Sequence, residues 1–178
     1  STEDCIAWVR DHVDEAIAVG EIGLDGYWVP DAFWNRQEEV FRALIQVALD
    51  ADKPVIVHSR KREQRCFEIL EEAGAQRVNF HCFGSKVKRA RRYAGAGHYF
   101  SIPANVRRSE SFTRMLETLP RTQLLFETDC PYLAPQRGEQ RGRGDGCRRC
   151  RLGLRLRLGL TFRRRLRFIG FSLWFQLC

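Results

Sequence analysis

The sequence predicts an α/β fold built as an incomplete (β/α)8 barrel, and three observations carry that expectation. Short apolar runs alternate with amphipathic helical patterns through five strands, which requires a parallel sheet with helical crossovers. Four residues of metal-ligand type, Glu21, His58, His81 and Asp129, stand at or just past the ends of such runs. Parallel strands deliver their carboxyl ends to one rim, so ligands distant in sequence can meet there. No glycine-rich phosphate loop follows the first strand, as an open doubly wound sheet would usually carry.

The elements follow in order. Ala16-Ile17-Ala18-Val19 is the first apolar run, ahead of Glu21. Between Asp31 and Asp50, Val40, Phe41, Leu44, Ile45 and Ala48 recur at three- and four-residue spacing, one apolar helix face. Asp52-Lys53-Pro54 breaks that helix and launches Val55-Ile56-Val57 towards His58. Cys66, Phe67, Leu70 and Ala73 repeat the helical pattern before Gly74, and Val78-Asn79-Phe80 leads to His81. A helix from about Ser85 turns Val87, Ala90 and Ala94 inward, and Gly95 and Gly97 end it before the strand His98–Ile102. Ser109 caps a helix presenting Phe112, Met115, Leu116 and Leu119, and Pro120 stops it ahead of Leu124-Leu125-Phe126.

Composition bounds the class. With 178 residues, 44% hydrophobic and 29% charged, the chain can bury one substantial core. Its net charge of +8 is lopsided: eleven arginines and a single acid, Asp145, lie from Arg141 to Cys178, so residues 1–140 carry a net of −2. Bulk charge on the main body therefore does not select a nucleic-acid partner. Seven scattered cysteines, an odd number, do not form a disulfide framework and fit a reducing, cytosolic setting. Ser1-Thr2-Glu3-Asp4 does not open a secretory signal, and Phe168–Cys178 is far short of the roughly 20 residues of a membrane span, so no membrane insertion is expected.

Two imidazoles at equivalent points of successive βα units, His58 and His81, point to metal ligation more strongly than either does alone. His12 lies in the charged stretch Asp11–Glu15 and His98 opens a strand instead of closing one, so both are expected to be surface or structural. Asp129, in Glu127-Thr128-Asp129, reads alone as a helix cap, but beside two rim histidines it reads as a ligand or a base acting on metal-bound water. Glu21 sits between Gly20 and Gly23, small neighbours that let backbone and metal approach closely, and a carboxylate there could bridge two cations.

Four segments, Ala18-Val19-Gly20-Glu21-Ile22-Gly23-Leu24-Asp25, Pro54-Val55-Ile56-Val57-His58-Ser59-Arg60, His81-Cys82-Phe83 and Leu124–Leu133, closely resemble the TatD family of metal-dependent deoxyribonucleases in order and spacing, over about residues 16–139. The resemblance implies an amidohydrolase-like TIM barrel, one or two divalent cations (Mg²⁺, Mn²⁺ or Zn²⁺), and hydrolysis of DNA phosphodiesters, with single-stranded DNA as the expected substrate. It implies that Glu21 bridges the metals, His58 and His81 bind one of them, and Asp129 binds the other and helps activate water. Ser59 and Arg60 are expected at the substrate.

The departures are specific. The family's first strand ends in a His-x-His pair, which this sequence lacks, and Glu21 corresponds to the family's fourth strand. By that likeness the chain covers about strands four to eight. Arg62 and Gln64 replace a small residue and an acid. After Gln140 the composition shifts to Arg, Gly, Leu and Cys, dividing the chain into a barrel part, residues 1–140, and an arginine-rich tail, residues 141–178. Alternating Leu and Arg in the tail fits a half-buried strand, an RNA-binding arm or a disordered basic segment. It is also what a GC-rich gene yields when translated in a shifted frame. The readings that follow are a TatD-type hydrolase acting on DNA, a non-catalytic nucleic-acid binder using the tail, an inactive remnant, and a small-molecule amidohydrolase.

Overall fold

The computed structural model of the chain describes residues 1–127. The elements are α1 (Thr2–His12), β1 (Val19–Asp25), α2 (Trp34–Asp50), β2 (Val55–Arg60), α3 (Glu63–Glu72), β3 (Val78–Phe80), α4 (Val87–Gly95), β4 (Tyr99–Pro103), α5 (Glu110–Thr118) and β5 (Leu124–Glu127). Helix α1 was not foreseen from the apolar pattern. It starts on a capping box in which the Ser1 hydroxyl accepts from the Asp4 amide while the Asp4 side chain reaches back to the Ser1 amine. Ile6 and Val9 then rest on the core from one side. At α5 the expected cap is present, the Ser109 side chain accepting from the Phe112 amide.

All five strands are parallel and lie in the order β1-β2-β3-β4-β5. Each neighbouring pair is joined by one helix, α2 to α5 in turn. A doubly wound sheet reverses its strand order at a switch point, whereas a barrel advances by one strand each time. The observed order is that of a partial (β/α) barrel. Among the described residues β1 and β5 are the sheet edges, where Leu125 and Phe126 remain exposed. No helix among the described residues is long and apolar enough to cross a membrane. The tail expected over residues 141–178 lies outside the described residues.

One face of the sheet packs against the helices. Ile22 and Leu24, Val55 and Val57, Val78 and Phe80, and Phe100 and Ile102 meet Phe41, Leu44 and Ile45 of α2, Phe67 and Leu70 of α3, Tyr93 of α4 and Met115 of α5. Phe80 is central, its ring 5.3 Å from Phe83, 5.1 Å from Tyr93 and 5.8 Å from Phe100. Strand alternation then turns the intervening residues to the other face. That face carries Glu21 and Gly23, Ile56 and His58, Asn79, Ser101 and Glu127.

Strand β1 departs from regular alternation in a way that matters for Glu21. Val19 pairs with Val55 and Ile22 with Val57, so three steps on β1 oppose two on β2, a β-bulge at Gly20-Glu21. Val19 and Ile22 both face the helices as a result, and Glu21 is placed opposite to them. Glu21 and His58 are therefore inside strands that run on to Asp25 and Arg60, which corrects the expectation that they stand at strand ends. The apolar runs stop early because only the helix-facing residues need to be apolar.

His98 is structural, as expected, and fully buried. Its ring stands edge-on to Phe67 and Phe80, both 5.7 Å away, and Nε2 lies 3.6 Å from Glu71 Oε1, beyond hydrogen-bond length. Burial holds its pKa below the ordinary histidine value, with Glu71 opposing only in part. The unfolded ring takes up a proton as the pH falls through about 6.5 while the folded ring resists. The contribution to stability is thus intact above about pH 6.5 and is lost as the pH falls through the depressed folded value. His98→Phe is expected to shrink the difference between urea midpoints measured at about pH 7.5 and about pH 5.

Candidate metal centre

Two glycines bring β1 against β2. A Cβ on Gly20 would lie 2.5 Å from Ile56 Cβ, and one on Gly23 would lie 1.9 Å from the His58 carbonyl oxygen. The close backbone approach expected at these glycines is that of the neighbouring strand. Their effect is to hold β1 tightly on β2, which sets Asp25 beside His58.

Asp25 ends β1 with its side chain buried. Its Oδ1 accepts from the Tyr27 amide at 2.6 Å and the Trp28 amide at 2.7 Å, and its Oδ2 is 3.0 Å from His58 Nε2. Burial pushes the Asp25 carboxyl upward, but His58 and the two amides outweigh it and hold it below the usual carboxylate range. Gln37 of α2 bonds the Asp25 backbone at both its amide and its carbonyl, fixing the turn. His58 is thus gripped by a carboxylate that is itself held on every side.

His81 follows β3 immediately, its amide still bonded to the Val57 carbonyl at 2.9 Å, and Cys82 then turns the chain with a positive φ of 44°. His81 Nε2 lies 3.5 Å from Glu21 Oε1, while Nδ1 contacts Glu127 Oε2. Glu127 also accepts from the Ser101 hydroxyl, which in turn accepts from Asn79 Nδ2 at 3.3 Å. Asn79, Ser101, Glu127, His81 and Glu21 form one polar chain across β3, β4, β5 and β1. Glu127 Oε1 is buried with no hydrogen-bond partner among the described residues.

Of the sequence-predicted residues, Glu21 and His81 come together and His58 pairs with Asp25. Asp129 lies outside the described residues. Among those residues no three of His, Cys, Asp and Glu are arranged to hold a metal ion unaided. Arg60 shares the His58 face and reaches the rim, its guanidinium 4.1 Å from the centre of the Tyr27 ring. Ser59 pairs with Leu24 and shares its helix-facing side, buried, because alternation turns it away from His58. Cys66 is no nucleophile, since burial pushes its thiol up to about 12.

Sequence reasoning missed Asp25, Glu127 and Ser101. The signal was present for the two acids: Asp25 is four residues beyond Glu21 and Glu127 two before Asp129, even spacings that keep residues on one face of a strand.

The donor set suits a divalent cation. Histidines that bind a metal almost always give their other ring nitrogen to a carboxylate or carbonyl, which fixes ring and tautomer. Both inner-face histidines here have that carboxylate, Asp25 for His58 and Glu127 for His81. A partial parallel (β/α) barrel with carboxylate-buttressed imidazoles on its inner face is the kind of scaffold on which metal-dependent hydrolases are built.

The particular family follows from comparison. The family described as TatD related DNase matches residues 1–147, and the chain belongs to it. An uncharacterized metal-dependent hydrolase of Methanocaldococcus jannaschii is 35% identical over 130 residues, 73% of this chain and 50% of that protein. Human deoxyribonuclease TATDN3 is 33% identical over 132 residues, 72% of this chain and 48% of the relative. The crystal structure of YjjV, a TatD homologue from Escherichia coli, superposes with a TM-score of 0.66 at 27% identity, covering 78% of this chain and 55% of that one. The chain spans about half the length of the curated relatives it matches.

Proposed function

We propose that the chain supplies part of the metal centre and substrate rim of a hydrolase that cleaves DNA phosphodiesters, with single-stranded DNA as substrate. The observation that carries this reading is the pair of buttressed imidazoles, His58 on Asp25 and His81 on Glu127, on the sheet face that also holds Glu21. Glu21, His58 and His81, with Asp129, would hold one or two ions of Mg²⁺, Mn²⁺ or Zn²⁺. When bound, such ions polarise the phosphoryl oxygens and lower the pKa of water.

The chain's own groups do the positioning. Glu127 keeps the His81 proton on Nδ1, which presents Nε2 towards Glu21. Asp25 keeps the His58 proton on Nε2, which assigns Nδ1 as the ligand atom. Lys61, Lys86, Lys88, Arg107 and Arg108 are exposed on the loops and first turns that follow β2, β3 and β4. Those loops share the carboxyl-end rim, so a body of nearly neutral charge still presents cations where phosphates would lie. Asp129 is assigned as ligand and water-activating base, and Arg60 as a substrate contact. The barrel part is assigned to residues 1–140 and the arginine-rich tail to residues 141–178. The odd number and scatter of the seven cysteines support a cytosolic setting.

Incubating the full chain with 5′-labelled single-stranded DNA and Mn²⁺ is expected to shorten the strand from its 3′ end. Glu21→Ala is expected to slow this by more than about a hundredfold. Equal shortening by Glu21→Ala, or none with Mg²⁺, Mn²⁺ or Zn²⁺, overturns the reading.

A further inference from the structure

The loop after β1 places two aromatic rings in water at the edge of the site. Tyr27 is 48% and Trp28 69% exposed, and their rings meet edge to face with centroids 4.6 Å apart. Large aromatic side chains are costly to leave wet unless something covers them. Neither is loose: the Tyr27 and Trp28 amides are both held by Asp25 Oδ1. Cations surround the pair. The Arg60 guanidinium lies 4.1 Å from the Tyr27 ring centre and 5.6 Å from that of Trp28, and Lys61 Nζ is 4.9 Å from Tyr27. Arg60 thus covers one face of Tyr27, and the indole of Trp28 is left as the open surface.

We infer that Trp28, backed by Tyr27 and Arg60, is a stacking platform for an unpaired nucleobase of the strand whose phosphate enters the metal centre. Bases of a single strand stack on aromatic rings and guanidinium planes while nearby cations neutralise the backbone, and a base inside a duplex has no free face to offer. The platform and the metal centre are mechanically joined. Asp25 holds the Tyr27 and Trp28 amides with one oxygen and His58 with the other, so a base seated on Trp28 is registered against His58. This inference rests on the nucleic-acid reading of the site and adds to it a reason for choosing single strands.

The test separates stacking from charge. Binding of a fluorescein-labelled single-stranded DNA of about twelve nucleotides to the full chain, in EDTA, is followed by anisotropy beside an abasic strand of the same length. Trp28→Ala is expected to weaken the base-bearing strand roughly tenfold and to leave the abasic strand unchanged, with Trp28→Phe restoring most of the difference. Circular dichroism checks that Trp28→Ala, a change at an exposed ring, keeps the fold. Equal effects on both strands, no effect of Trp28→Ala, or no binding by the unaltered chain overturns the platform. DNA cleavage indifferent to Trp28→Ala would sink the platform and keep the hydrolase. Base-dependent binding without cleavage would do the reverse.

Discussion

Replacing Gly23 by alanine is expected to cost about 3 kcal/mol or more of stability and to dismantle the metal centre with it. The new methyl group would lie 1.9 Å from the His58 carbonyl oxygen and 3.2 Å from its amide nitrogen. Backbone cannot swing aside as a side chain can, so β1 and β2 must separate. The position also has a φ of +150°, which side-chain-bearing residues rarely adopt. Separation would break the Gly23–His58, Leu24–Ser59 and Asp25–Arg60 register and carry Asp25 away from His58. Urea unfolding followed by circular dichroism measures the loss. Gly95→Ala, at a helical site with nothing within 4 Å, serves as a control whose midpoint should hold or rise. A Gly23→Ala midpoint equal to that control would show that the strands do not approach as described.

Asp25→Asn is expected to weaken metal binding by about 10- to 100-fold while changing stability far less than Gly23→Ala. The amide oxygen of Asn can still accept from the Tyr27 and Trp28 amides, so the turn has a means of surviving. Its Nδ2 then faces His58 Nε2 as a donor, where Asp25 Oδ2 had been an acceptor. His58 answers by moving its proton to Nδ1, the atom assigned to the metal, or by losing the contact. Either response removes an oriented ligand, and neither removes a large apolar contact. Calorimetric titration of the full chain with Mn²⁺, compared with Asp25→Ala, checks this. An Asp25→Asn affinity matching the unaltered chain would mean that the carboxylate does not set the tautomer.

Much of the fold was legible because its cause is local. The period of Val40, Phe41, Leu44, Ile45 and Ala48 marks a helix wherever the segment is placed, and Ser109 caps α5 through an amide three residues away. Helix α1 was missed because its signal is a capping box and two half-buried residues, Ile6 and Val9, with no residue fully buried. The metal centre was legible by type more than by geometry. His58 and His81 follow apolar runs and match a family pattern, but their carboxylate partners come from other strands, 33 and 46 positions away.

The sequence by itself determined the alternation of strand and helix, the family, and the placing of His58 and His81 at matching points of successive βα units. Those properties depend on period, residue type and motif, all of which act over a few neighbours. Only the tertiary structure decided that the backbone approaching Gly20 and Gly23 is that of β2, that Ser59 turns away from the centre, and that Asp25 and Glu127 hold the two imidazoles. Those depend on strand register and on one bulge, which a one-residue change in pairing would reverse and which no local pattern records.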